Sequence, residues 1–281
     1  MPMPTDTARR RPRGAVDWWL LLAVGVLLLI LSPVVWLLMM SLKTEVDALA
    51  MPPKLVFVPT LANYSGLLEA RFLRPLLNSV IVAIVTTVLS LALGVPAAYA
   101  LSRARTWVTG GIGFWILATR MAPPIAFAIP FFLAYRTVGW LDTLSGLIVI
   151  HLTFNLSLVI WLMRAFFDGI PVSLEEAAWI DGASLGQSLR SVILPLTAPG
   201  IAASAILCFL AAWNDFFFAL VLTRSSAMTA PVAIVNFMHY AGWDWGRITA
   251  GSIIVALPVI AFALPVRRYL VSGLTAGALK G

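Results

Sequence analysis

Apolar residues in this chain gather into long runs, and the polar residues collect between them. Six runs are long enough to cross ~30 Å of hydrocarbon at 1.5 Å per residue, at 18–40, 76–101, 112–134, 144–163, 198–222 and 248–266. The pattern therefore predicts an all-α integral membrane protein with six transmembrane helices. An even count puts both chain ends on one side of the membrane. Arg9, Arg10, Arg11 and Arg13 precede the first run and Arg267, Arg268 and Lys280 follow the last, which makes that side cytoplasmic. Arg103 and Arg105, after the second run, agree. The implied organisation is a basic cytoplasmic segment at 1–17, a six-span domain at 18–266 and a cytoplasmic tail at 267–281. The first run exceeds the ~7–15-residue apolar core of a cleaved signal and ends in no small-x-small site, so it is expected to stay as a span.

Helix breakers fall inside these spans: Pro96, Pro123, Pro124, Pro130 and Pro258. The third span, with three of them in eight residues, is the one expected to kink or break. Such a break serves packing or, as in many transporters, a solute site. Tryptophans 140, 243 and 245 in outer loops and 18, 19, 107 and 161 near inner ends read as an interfacial belt.

Composition sharpens the class. Hydrophobic residues make up 61% of the chain and charged residues 11%, where a soluble domain has ~45–50% and ~25%. That excludes most water-soluble enzymes. The net charge of +7 would suggest a nucleic-acid partner in a soluble protein, but here the positions of the basic residues explain it as topology. The single cysteine, Cys208, allows no internal disulfide and no cysteine metal cluster.

The loop between the fourth and fifth spans, about 168–196, is the least membrane-like part of the second half. Ser173 with Glu176 has capping-box spacing, and Gly182 offers the φ > 0 position that ends a helix, predicting a two-turn rod over 174–181. A second box, Ser184 with Gln187, opens another helix that stops near Pro195, with Leu185, Leu189 and Val192 on one stripe that can bury against the membrane domain. The first rod sets Glu175, Glu176 and Asp181 beside the small residues Ala177 and Ala178. Both an ordinary solvated helix and a docking peg for another protein fit that description.

The stretch EEAAWIDGASLGQSLRSVILPLTAP resembles the EAA loop of bacterial ABC-importer permeases. The family pattern is EAA, three residues, Gly, nine residues, Ile-x-Leu-Pro. Glu176, Ala177, Ala178, Gly182, Leu194 and Pro195 match at that spacing, with Val192 at the isoleucine position. Further likeness in LNSVIVAIVTTVLSLALGVPAAYALSR, TRMAPPIAFAIPF, GWLDTLSGLI, LMRAFFDGIP, AWND and RRYLVSGLTAGALKG is similar to the sugar-type, MalG-like branch, although Arg267 stands where the family tail commonly has glutamine. The resemblance implies a type I ABC importer permease fold and a half-channel in a bacterial inner membrane. It implies four kinds of partner: a second homologous permease, two cytoplasmic ATPase subunits holding ATP and Mg, an extracytoplasmic solute-binding protein, and lipid. No catalytic residue or bound cofactor is expected on this chain, which contains no GxxxxGK[ST] phosphate loop. Glu175, Glu176, Ala177, Ala178, Asp181, Gly182 and Ala183 become the expected ATPase-coupling residues, with Glu176 pairing to a basic group on the ATPase.

Intramembrane ionisable groups are costly, at least ~2.5 kcal/mol on the insertion scale, and Arg120 and Asp215 are two of them. Helical rise puts Arg120 ~12–15 Å deep and Asp215 ~25 Å deep, an offset larger than an easy ion pair. Arg120 suits either a structural role at carbonyls freed by the prolines or a ligand contact. His151 and Asn155 are four apart and share a face of the fourth span. Together with Tyr135, Trp213, Asn214 and Asp215 they form the candidate solute pathway, since sugars are held by hydrogen bonds and aromatic faces. No second His or carboxylate stands at metal spacing, so no metal site is expected. The rival classes are a single-chain ion-coupled transporter and a membrane enzyme.

Overall fold

The computed structural model describes residues 18–104, 106–239 and 242–278. Arg9, Arg10, Arg11, Arg13, Arg105 and Lys280, and with them the 1–17 segment, lie outside the described residues.

The chain opens with α1 (Trp18–Ser41), followed by short helices α2 (Glu45–Leu49) and α3 (Ala62–Glu69). Then come α4 (Leu73–Arg103), α5 (Trp107–Met121), α6 (Pro124–Thr137) and α7 (Leu144–Asp168). The loop after α7 holds α8 (Ser173–Ile180), α9 (Leu185–Ser188), a π-helical turn Leu189–Ile193 and α10 (Leu194–Leu196). The last third comprises α11 (Ala198–Trp213), α12 (Phe217–Leu222), α13 (Ala230–Val235), the strands β1 (Met238–His239) and β2 (Gly242–Trp243), and α14 (Trp245–Ala278). The strands pair antiparallel, Met238 opposite Trp243 and His239 opposite Gly242.

Among the described residues, four helices are long and apolar enough to span: α1, α4, α7 and the 245–262 part of α14. Two bent pairs bring the total to six if each is one span. The third expected span is such a pair, because the helix bends by 93° between Met121 and Pro124. Pro123 forces Ala122 into an extended conformation, and Pro124 takes the first helical position, where its missing N–H costs nothing. The other bent pair joins 185–196 to α11 at 75°. The fifth expected span, 198–222, is not one helix. It stops at Trp213 and resumes at Phe217, since Asp215 turns its carboxylate onto the backbone, Oδ2 accepting the Ala219 N–H at 3.1 Å. The sixth continues as α14 through 267–278, part of the stretch expected as tail.

In the centre α4 lies along α7. Gly94 permits the approach, for a Cβ there would meet Val159 Cγ1 at 2.7 Å. One end of this pair is packed by Val95, Tyr99, Met163, Phe167 and Ile193, the other by Val82, Leu147, Ile150, Phe218 and Leu222. The side chains of α1 from 18 to 38 stay exposed, a surface suited to lipid or another membrane subunit.

Candidate functional site

The α8 loop departs from its sequence reading in two ways. Ser173 does not cap, because Val172 before it already has helical dihedrals (φ −61°, ψ −29°) whereas a capping residue needs extended ones. The helix instead enters through a turn at Pro171, whose carbonyl accepts the Leu174 N–H at 3.2 Å. The stripe of Leu185, Leu189 and Val192 packs only in part, Leu189 and Val192 lying half-buried against the core while Leu185 does not. Pro195 has no N–H to give, the backbone widens into the π turn, and the extra residue rotates the buried face onto Ser188 and Ile193, leaving Leu185 61% exposed.

The C-terminal end of the rod is as expected. Gly182 has φ +88°, its N–H bonds Trp179 O at 3.0 Å and the Ala183 N–H bonds Ala178 O at 2.9 Å, a Schellman closure that needs the left-handed residue. No atom lies within 4 Å of a Cβ built there, so backbone conformation, and not space, demands glycine. The second box forms fully: Ser184 N–H donates to Gln187 Oε1 at 2.8 Å, and Gln187 N–H to Ser184 Oγ at 3.4 Å.

Seven of the eight α8 side chains are exposed or half-exposed, Glu176 and Ala177 among the exposed, with Trp179 at 43% and Ile180 at 86%. Glu175 alone turns inward. It is 1% exposed, accepts the Tyr99 hydroxyl at 2.5 Å on Oε2, and pairs on Oε1 with Arg103 Nη2 at 2.6 Å and Nε at 2.7 Å. Arg103 also donates to Phe167 O at 3.1 Å and to Ser102 Oγ at 3.2 Å, and Ser102 Oγ donates to Asp168 Oδ1 at 2.5 Å. Tyr99 and Arg103 stand four apart, hence on one helical face, a spacing visible in the sequence where Arg103 was read only for topology. Beside this cluster lies an open groove of about 810 Å³ lined by Tyr99, Arg103, Val172, Trp179, Leu185 and Leu189.

A second feature sits where both helix breaks meet. A cavity of about 220 Å³ is lined by Arg120 from the end of α5, Pro124 from the start of α6, His151, Phe154 and Asn155 from α7, Asp215 from the α11–α12 break, and Phe218. Four of the seven expected pathway residues therefore converge: Arg120, His151, Asn155 and Asp215. Among the described residues no ion pair joins Arg120 to Asp215, and the ionisable neighbour of Asp215 is instead His151, Nε2 to Oδ2 3.7 Å. That distance is too long for a hydrogen bond, and the buried His151 Nε2 has no protein partner. Asn155 Nδ2 donates to Cys208 O at 3.2 Å, tying α7 to α11. Phe154 and Phe218 stack at 5.2 Å and give the cavity an aromatic wall that sequence reading missed. The other three expected residues do not line it. Tyr135 is buried in the core with its hydroxyl on Gly146 O at 3.1 Å, Trp213 is buried against Phe209 with its indole N–H on Val255 O at 3.2 Å, and Asn214 is exposed at the end of α11.

At the opposite end of the molecule from α8, Asp142 (φ +55°) accepts backbone N–H groups from Arg224, Ser225, Ser226 and Ala227 at 3.0–3.3 Å. Burial opposes its ionisation, but those donors outweigh it and hold the carboxyl well below the usual carboxylate range.

Comparison with known proteins agrees with this architecture. The family described as "Binding-protein-dependent transport system inner membrane component" matches residues 90–271. The trehalose transport system permease protein SugB of Mycobacterium tuberculosis is 42% identical over 281 aligned residues, covering 96% of this chain and 99% of that protein. The trehalose/maltose transport system permease protein MalG of Thermococcus litoralis is 36% identical, covering 93% and 97%. In three dimensions, a chain of a bacterial ABC transporter involved in the import of the acidic polysaccharide alginate superposes with a TM-score of 0.74 at 27% identity, covering 92% of this chain and 99% of its own. With matches that run nearly end to end, this chain belongs to the family of inner membrane components of binding-protein-dependent transport systems.

Proposed function

We propose that this chain is the permease subunit of an ATP-driven importer of a sugar or sugar-like solute, a disaccharide, polyol or derivative. A binding protein delivers the solute on the outer side. A second, homologous permease completes the pathway, and two cytoplasmic ATPase subunits hold ATP and Mg. Both chain termini and the α8 loop face the cytoplasm. The exposed face of α8, Glu176, Ala177 and Ala178 with Asp181, Gly182 and Ala183 at its end, seats in the ATPase, and Glu176 pairs there with a basic group. The small side chains allow close approach and the Schellman closure keeps the rod rigid.

The observation that carries this reading is the convergence of two helix breaks on one polar cavity with an aromatic wall. Unwound backbone inside a membrane is tolerated where it lines a cavity, and transporters place solute there. A neutral polyhydroxylated ring has the right chemistry. Asp215 and Arg120 offer an acceptor and donors, the 3.7 Å gap between His151 and Asp215 admits a bridging hydroxyl, and Phe154 and Phe218 present an apolar wall to ring C–H groups.

The test is ATP-dependent uptake of radiolabelled trehalose or maltose by proteoliposomes holding this chain with its companion permease, ATPase and binding protein. Asp215→Asn, which retains the acceptor that caps α12, should lower uptake without lowering the amount of assembled complex. Uptake by this chain alone, driven by an ion gradient, would overturn the ABC reading in favour of a secondary transporter. Unchanged uptake by the Asp215 and His151→Ala variants would remove the cavity from the pathway.

A further inference from the structure

A helix pushed from outside moves its neighbours only through contacts that resist sliding. α8 has one side chain of this kind. Along its flanks it meets α9 and the π turn, but towards α4 the groove of about 810 Å³ leaves open space, and the connection is the Glu175 cluster. Within that cluster Arg103 binds α8 through Glu175, and the C-terminal end of α7 through Phe167 O. One guanidinium thus gathers three helices.

We propose that Glu175, with Arg103 and Tyr99, is the linkage through which displacement of α8 reaches α4 and α7, which makes Glu175 a positioning residue for transport. This rests on the reading of α8 as the part that meets the ATPase. The physical reason is directional. Apolar packing resists separation but slides at little cost, while two charge-assisted bonds on one oxygen and a hydroxyl on the other fix a carboxylate in position and angle. Burying an ion pair contributes little net stability compared with a well-packed apolar pair, so a carboxylate here is better explained by placement than by stability. Glu175 and Glu176, adjacent in sequence, then have opposite duties: Glu176 faces outward to the motor and Glu175 inward to the pathway.

The experiment uses the full transporter in proteoliposomes and reads solute transported per ATP hydrolysed, with complex recovery measured in parallel. Glu175→Gln keeps the volume and the Tyr99 hydrogen bond while losing the charge, and Glu175→Ala removes both. The ratio should fall at least fivefold in Glu175→Ala and less in Glu175→Gln. The exchange Arg103→Glu with Glu175→Arg should recover part of it. A role in stability alone would lower recovery and leave the ratio at its wild-type value, and that result overturns the proposal. Cross-linking from Glu176→Cys to the ATPase separates the two readings. If no cross-link forms, α8 does not meet the ATPase. If it forms while both Glu175 variants keep the wild-type ratio, α8 docks but this linkage is wrong.

Discussion

Two carboxylates fasten the opposite ends of this molecule by different means. Asp142 is held by backbone N–H groups of 224–227, and the same loop is tied to α4 by Asn78, whose amide donates to Ser226 O at 3.0 Å and Met228 O at 2.9 Å. Glu175 is held by the side chains of Tyr99 and Arg103. Backbone donors in a turn have fixed positions, so the Asp142 end is a static clasp, a small nest closed over an anion. Side chains on separate helices can rearrange together, and the Glu175 end, bordered by an open groove, is a joint. A transporter driven from one end needs this asymmetry: one end that moves with its motor and one that holds the frame.

The largest expected effect is at the clasp. Asp142→Ala leaves four backbone donors without their acceptor, and with partial rescue by water should cost about 2 kcal/mol. A lower melting temperature of the purified protein, with uptake per assembled complex unchanged, is the expected result. Wild-type stability with altered coupling would break the comparison.

Next is the joint's own geometry. Gly182→Leu places a side chain at φ +88°, a strain of about 1–2 kcal/mol on the Schellman closure. Uptake should fall about tenfold while ATP hydrolysis and assembly persist. Normal uptake would show that α8 need not be rigid.

Asn155→Ala, between the two ends, removes the bond to Cys208 O and should cost about 1 kcal/mol while raising the half-saturating solute concentration. An unchanged transport curve would confine Asn155 to joining α7 and α11.

The smallest effect is the pH dependence of the clasp. Because the folded protein favours the ionised form of Asp142 and so lowers its pKa, its contribution is complete above the ordinary carboxylate range, near pH 4, and is lost as pH falls through the lower folded value. The contribution of Asp142 to melting temperature should therefore be full and constant between pH 5 and 8, and below about pH 4 the difference between wild type and Asp142→Asn should shrink. A difference that persists at low pH would place the clasp's strength elsewhere.

Much of this was legible along the chain. Long apolar runs marked the spans, paired prolines marked the break after α5, and EAA spacing with Gly182 marked the rod and its end. The α11–α12 break was hidden because a window average over 198–222 stays apolar, although Asn214 and Asp215 are the residue types that draw backbone bonds away from a helix. Tyr135 and Trp213 were misleading for a related reason. An aromatic residue with a polar handle suits a sugar site and a core equally, and here Gly146 O and Val255 O take the handles.

The sequence by itself determined the membrane class, through run length, the family, through its resemblance to known permeases, and the place of the short α8 rod, through local spacing. Only the tertiary structure decided which of two adjacent glutamates faces inward, and that Arg120, His151, Asn155 and Asp215 share a cavity. Both depend on how helices far apart in sequence are rotated and broken against one another, and one π turn or one capping carboxylate changes that rotation without leaving a periodic trace.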